Sequence, residues 1–168
     1  DWTGGQIGGT GNLVFGPTAV ASVLPGGQHT LRDRRIVNQT TVNWTSSGPD
    51  YMGFNSTWEN AAGSKMDLKN DAQVYFWGGT PTAFQNAGVF VKSGGSGIAY
   101  FDCLFQNLNS FAVNSGTLFL RQGGTLSANW TVAAGATLGF NGATFKTHAS
   151  TTLAGNGRYL INGGTYEV

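Results

Sequence analysis

Apolar and polar positions alternate along this chain in runs of three to five residues, and Gly, Asn or Ser closes each run. Phe90-Val91-Lys92 is followed by Ser93-Gly94-Gly95-Ser96-Gly97 and then Ile98-Ala99-Tyr100-Phe101. Phe111-Ala112-Val113 leads through Asn114-Ser115-Gly116 to Thr117-Leu118-Phe119-Leu120. Trp130-Thr131-Val132 leads through Ala133-Ala134-Gly135 to Ala136-Thr137-Leu138-Gly139-Phe140. Period-two alternation bounded by turn residues predicts short strands. No window carries a helical period with caps, so no significant helix is expected.

Four phrases recur above this local pattern: Ile36-Val37-Asn38-Gln39, Trp58-Glu59-Asn60-Ala61, Phe84-Gln85-Asn86-Ala87 and Phe105-Gln106-Asn107-Leu108. Each reads apolar, variable, Asn, variable. Recurrence at this period marks a solenoid, in which one unit cannot bury its apolar face without its neighbours. The expected fold is all-β, a right-handed parallel β-helix of about six to seven coils, about 30 Å long at the usual strand spacing. One inward column is predicted through Val42, Phe90, Phe111, Trp130 and Tyr159, and another through Phe84 and Phe105. Asn38, Asn60, Asn86 and Asn107 are predicted to sit at turns, where a left-handed backbone is cheap for Asn. Their amides are expected to stack as a hydrogen-bonded ladder. The ends look alike: Ile7–Phe15 parallels Leu153–Ile161, each with Gly-x-Gly where the middle coils carry Asn. Pro17–Thr30 is the least regular stretch and reads as a loop off the rod. With no break in composition, residues 1–168 form one solenoid segment, part of a longer array or of a stacked filament.

Composition sharpens this picture. The chain has 27 Gly, and charged residues make up only 10%, against about 25% in an average domain. Such a surface suits tight β-turns and disfavours helices. A net charge of +1 gives no electrostatic drive toward nucleic acid or anionic lipid. Arg32, Arg34 and Arg35 are interrupted by Asp33 and read as a solvated turn. No apolar run approaches the roughly 20 residues of a membrane span. Cys103 is alone, in an apolar setting, and reads as a buried inert thiol. The chain opens at Asp1 without an initiator Met or a signal peptide, which reads as a processed chain or a segment of a longer one.

Several of these phrases carry a resemblance. Ser115-Gly116-Thr117-Leu118, Ala133-Ala134-Gly135-Ala136-Thr137-Leu138 and Asn162-Gly163-Gly164-Thr165 resemble tandem repeats of large bacterial extracellular proteins. The first half matches more loosely, through Trp44-Thr45 and Thr30-Leu31. The resemblance implies a β-solenoid of the adhesin or autotransporter-passenger kind, extracellular or on a cell surface. Such repeats are mostly scaffolds, so it carries over no catalytic residue.

Candidate chemistry is sparse. Eight acids leave little material for acid–base work or for Ca²⁺. The densest cluster, Lys65-Met66-Asp67-Leu68-Lys69-Asn70-Asp71, reads as a charge-balanced solvated face. His29 and His148 are far apart, each beside Thr, without a third metal ligand. No nucleophile elbow or phosphate loop occurs. No catalytic, metal or cofactor-binding residue and no cofactor is therefore expected, and the chain is not read as an enzyme. Four sequons occur in a sequence rich in Asn, Ser and Thr. Asn43, Asn55 and Asn129 are the glycosylation candidates, while Asn38 is claimed by the ladder. Trp2, Trp44, Trp58, Trp77 and Trp130 read as packing before they read as sugar platforms. The threonines are too scattered for a flat ice-binding array.

The expected function is that of a structural or interaction segment of an extracellular β-solenoid fibre: a stalk, matrix filament or adhesin rod. Its expected partners are itself or neighbouring repeats end to end, with glycans second and no nucleic acid. The alternatives are a carbohydrate-binding module and a carbohydrate-active β-helix enzyme.

Overall fold

The computed structural model describes residues 1–168. The chain winds through about eight coils with no helix. The first coil carries β1 (Gly5–Gly8), β2 (Asn12–Phe15) and β3 (Ala21–Val23). The second carries β4 (His29–Arg32), β5 (Arg35–Asn38) and β6 (Thr41–Trp44). The third has β7 (Pro49–Gly53), β8 (Thr57–Asn60) and β9 (Lys65–Leu68). The fourth has β10 (Gln73–Phe76), β11 (Ala83–Asn86) and β12 (Val89–Lys92). Then come β13 (Ile98–Phe101), β14 (Leu104–Asn107) and β15 (Ser110–Val113). The sixth coil is β16 (Thr117–Leu120), β17 (Gly124–Leu126) and β18 (Asn129–Val132). The seventh is β19 (Thr137–Asn141), β20 (Thr144–Thr147) and β21 (Thr152–Ala154). Strands β22 (Arg158–Asn162) and β23 (Thr165–Glu167) begin an eighth.

The first, second and third strands of the coils form three sheets of eight, eight and seven strands. All named pairings are parallel, as expected when every strand meets its counterpart one coil later. At the usual strand spacing the rod is about 35 Å long, a coil or two more than the Asn phrases predict. The reason is that the terminal coils do not carry that phrase.

The core is the inside of the tube. In the third sheet Ala21, Val42, Met66, Phe90, Phe111, Trp130 and Leu153 lie in one register column. The ring of Phe90 stacks on Phe111 at 4.9 Å with planes 5° apart, and Phe111 meets Trp130 at 3.9 Å. Tyr159 does not belong to this column: it pairs with Leu138 in the first sheet, and Leu153 takes the predicted place. The second sheet runs Leu13, Ile36, Trp58, Phe84, Phe105. It breaks at Gly124 and resumes with Phe145 and Tyr166. A Cβ on Gly124 would lie 1.9 Å from the Phe105 carbonyl oxygen, so the chain passes too close there for any side chain.

Two other expectations change. Pro17–Thr30 is not a detached loop: β3 and the start of β4 lie within it. Gly26 tucks so close that a Cβ would meet the Thr3 carbonyl at 2.1 Å. The Gly-x-Gly phrases of the two ends also turn different corners. Gly9–Gly11 joins the first sheet to the second, and Gly155–Gly157 joins the third to the first. Neither occupies the corner of the asparagines.

Candidate functional site

Asn38, Asn60, Asn86 and Asn107 are the last residues of β5, β8, β11 and β14. They form one column at the corner between the second and third sheets, and all are fully buried. Each side-chain Nδ2 donates to the Oδ1 of the next: Asn38 to Asn60 at 2.8 Å, Asn60 to Asn86 at 2.7 Å, Asn86 to Asn107 at 2.7 Å. The second Nδ2 hydrogen reaches a backbone carbonyl of the next coil, from Lys65, Val89, Ser110 and Ser127 in turn. The left-handed backbone expected for them is absent. Of the asparagines only Asn55 has a positive φ. An amide is needed here because it both accepts and donates along the axis. Leu126 follows Asn107 in register and ends the ladder, and Phe15 precedes Asn38.

The remaining candidates are dispersed. Asn55 and Asn129 are exposed, Asn43 is half-buried on β6, and nothing brings the three together. Asp67 is buried between Lys65 (2.9 Å) and Lys69 (3.1 Å) and accepts a hydrogen bond from Ser93 Oγ. Burial alone would raise its carboxyl; the bonds from Ser93, Lys65 and Lys69 outweigh burial and hold it below the usual carboxylate range. His148 contacts Ser150 on the surface, remote from His29. No group of three His, Cys, Asp or Glu is placed to hold a metal ion.

Sequence reasoning missed two polar side-chain pairs, each formed by residues one coil apart. Lys92 is completely buried; its Nζ lies 2.8 Å from Asp71 Oδ1 and donates to the carbonyls of Gly94 and Gly95. That pair shapes the glycine-rich turn after β12. His29 and Asp50 are register partners, with Nδ1 2.6 Å from Oδ1. Asp50 also accepts from Trp44 Nε1 at 2.9 Å, and His29 Nε2 donates to the Trp2 carbonyl at 3.0 Å. Burial pushes the Asp50 carboxyl up, against the bonds from His29, Trp44 and Ser46. Ser46 is bonded to Asp50 and not to the imidazole, so this is no activated nucleophile. It fastens the first residues to the rod. An alternating strand pattern holds no signal for such cross-coil pairs.

Trp44, Trp58 and Trp130 are core residues and Trp2 is half-buried, which leaves Trp77 exposed. On the outside of the first sheet, Tyr100 and Phe119 stack at 6.0 Å with planes 14° apart, so each covers a face of the other.

The most distinctive surfaces are the two ends. At the N-terminal end, Ile7, Leu13, Phe15, Val20, Val42 and Trp58 line an apolar cavity of about 310 Å³. The outer edges of β1, β2 and β3 have no neighbour there beyond a bridge from Trp2 to Val23. At the other end, β22 and β23 complete two sheets, and the third stops one coil earlier at β21. Leu153, Ile161 and Val168 are exposed around them. No helix is long and apolar enough to cross a membrane. Comparisons with family models, curated proteins and solved structures find no match to this chain.

Proposed function

We propose that this chain is a structural segment of an extracellular or cell-surface β-solenoid rod, extended by stacking end to end on further coils of the same kind. The observation that carries the reading is the pair of open ends. An edge strand offers a row of unpaired N–H and C=O groups, a template for another strand. Here three such edges surround an apolar cavity, so a stacked coil gains backbone pairing and hydrophobic burial together.

Contact between two unlike ends is heterologous and does not close, so it propagates as a filament. Little charge opposes it, at a net +1. The resemblance to surface-protein repeats supports placement outside the cell, and the exposed sequons at Asn55 and Asn129 suit that compartment.

The test is size against concentration, by light scattering and electron microscopy, for the wild type and for Val20→Glu. Val20 is 87% exposed at the N-terminal end, so the substitution leaves the fold intact while placing a charge in the contact. Wild-type particles are expected to lengthen with concentration at constant width, and Val20→Glu to stay monomeric. A wild type that remains a monomer at every concentration overturns end-to-end stacking by this segment.

A further inference from the structure

Residues 1–4 lie as a strap across the N-terminal end of the rod. Trp2 N–H donates to the Ser22 carbonyl at 2.8 Å, and Leu24 N–H donates to the Trp2 carbonyl at 2.9 Å. Trp2 therefore occupies one C=O and one N–H on the outer edge of the third sheet, groups that a stacked strand would use. The same residue lines the apolar end cavity. Gly27 N–H ties the strap down once more, through the Thr3 carbonyl at 2.8 Å.

Beneath the strap the geometry requires a buried proton. His29 is 1% exposed and Asp50 3%. His29 Nε2 lies 3.0 Å from the Trp2 carbonyl oxygen, which can only accept, so Nε2 carries a hydrogen. Nδ1 lies 2.6 Å from Asp50 Oδ1, and that contact needs a hydrogen between the two atoms. Both contacts hold together only for an imidazolium facing a carboxylate, or a neutral ring facing a carboxylic acid. Whichever atom carries it, the pair holds one proton more than a neutral imidazole beside a carboxylate. Few other groups face the pair. Trp44 Nε1 and Ser46 Oγ approach the carboxyl, and the Trp2 indole meets the imidazole edge-on at 4.8 Å. Asp50 is the one charged side chain bonded to the ring. Arg32, on the same strand, is turned to Asp33, and Asp1 is exposed and makes no bond to the pair.

Loss of that proton leaves one hydrogen for two acceptors. It stays on Nδ1, because a carboxylate is the stronger, charge-assisted partner. The Nε2 lone pair then faces the lone pairs of the Trp2 carbonyl, and the Asp50 charge stays buried without a cation. Opening the strap relieves both, since water then reaches the ring. The closed strap thus binds the proton more tightly than the open one. Closure is complete at low pH and is lost as the pH rises. Burial, which pushes the Asp50 carboxyl up, acts in the same direction.

We propose that the proton shared by His29 and Asp50 is a latch: it holds Trp2 across the edge of β3, and its loss releases the strap and frees that edge and the mouth of the end cavity. The consequence for assembly rests on the end-to-end stacking proposed above: contact at the N-terminal end is favoured on the alkaline side of the transition. The latch itself does not need stacking, and the two are measured separately.

The experiment follows the full chain from about pH 5 to about pH 10, a span that brackets ordinary imidazole titration. In ring-nitrogen NMR, His29 Nε2 is expected to bear hydrogen at the acid end and to be bare at the alkaline end. The Leu24 amide, which donates to Trp2, should exchange about tenfold faster or more across the same transition, relative to the amides of β16. Both rates are corrected for the chemical exchange rate, which rises with pH for every amide alike. Asp50→Asn should abolish the transition with the strap closed: the new amide donates to Nδ1, and a neutral ring keeps its Nε2 hydrogen on Trp2. Nε2 keeping its hydrogen throughout in the wild type, Leu24 protection unchanged while Nε2 loses it, or a wild-type transition in Asp50→Asn would each overturn the latch. Light scattering at fixed concentration should show wild-type particles lengthening across the transition and Asp50→Asn particles not. Filaments of equal length on both sides of it would overturn the strap as a gate. A monomer at every pH, with the ring and Leu24 transitions in place, would instead overturn stacking and leave the latch standing.

Discussion

The side chain of Asn86 joins three coils at once. It accepts from Asn60 and donates to Asn107 and to the Ser110 carbonyl. Asn86→Ala therefore strands a buried donor on one side and a buried acceptor on the other, and should cost about 1–3 kcal/mol. Asn107→Ala should cost a similar amount. The double variant should fall short of the sum by about 0.5 kcal/mol or more, since the two amides touch. Additive losses in urea titrations would mean that the ladder does not act as a unit. Asp67 makes a second prediction at this scale. Its carboxyl sits below its ordinary value of 3.8 because the bonds from Ser93, Lys65 and Lys69 exceed the cost of its burial. The folded state then binds this proton less tightly than the unfolded chain. The stability that Asp67 contributes is complete above 3.8 and is lost as the pH falls through the lower folded value. Asp50, raised by burial, acts in the opposite sense: its contribution is lost as the pH rises through its folded value. Asp67→Asn should flatten the acid limb of a plot of urea midpoint against pH, and an unchanged limb would contradict the ion-pair account.

Strands and corners are held by different forces. A strand of four residues pairs on both sides and points alternate residues into the tube, so the interior is a set of stacked columns. Phe111 is buried in the third-sheet column and sandwiched between the rings of Phe90 and Trp130. Phe111→Ala should destabilise by about 3–5 kcal/mol, the usual cost of emptying an aromatic core site. A loss under about 1 kcal/mol in a denaturant titration would show that the coils close over the gap. Corners are tightly packed as well. A Cβ on Gly88, beside the ladder, would meet the Ser64 and Ala61 carbonyl oxygens at 2.3 and 2.6 Å. Both are backbone atoms and cannot swing away, so Gly88→Ala should cost about 1–3 kcal/mol. Wild-type stability in that variant would show that neighbouring coils slide freely past each other.

As a whole the molecule is nearly one-dimensional: each coil touches the one before and the one after. Stability in such a rod is a sum of coil and interface contributions, and the ends have one interface each. The C-terminal end is also poorly buried, with β21 exposed throughout and β22 and β23 mostly so. Hydrogen exchange should therefore be slowest in the central coils, from β10 to β18, and fastest in β22 and β23. If the ends stack, protection of β22 and β23 should rise with protein concentration while that of the centre stays constant. Uniform protection along the rod would argue for a single cooperative block.

The repeat of Asn38, Asn60, Asn86 and Asn107 was enough to read a parallel solenoid from the sequence, because identical side chains at one spacing have a cheap way to bond only when coils stack in register. The alternating runs likewise mark which residues face inward. The coil count, the place of Tyr159 and the corners of the two Gly-x-Gly phrases were not legible. Gly turns any corner of a solenoid equally well, so a Gly phrase says that the chain bends but not on which side of the tube. The asparagines were found for a partly mistaken reason, since their backbone is extended and the amide bond along the axis is what requires them. Only the tertiary structure decided which polar side chains meet. Lys92 meets Asp71 and His29 meets Asp50 across neighbouring coils, because strand register and turn length set which polar residues come level. A residue gained or lost in one turn moves every contact at that corner while leaving the strand pattern untouched.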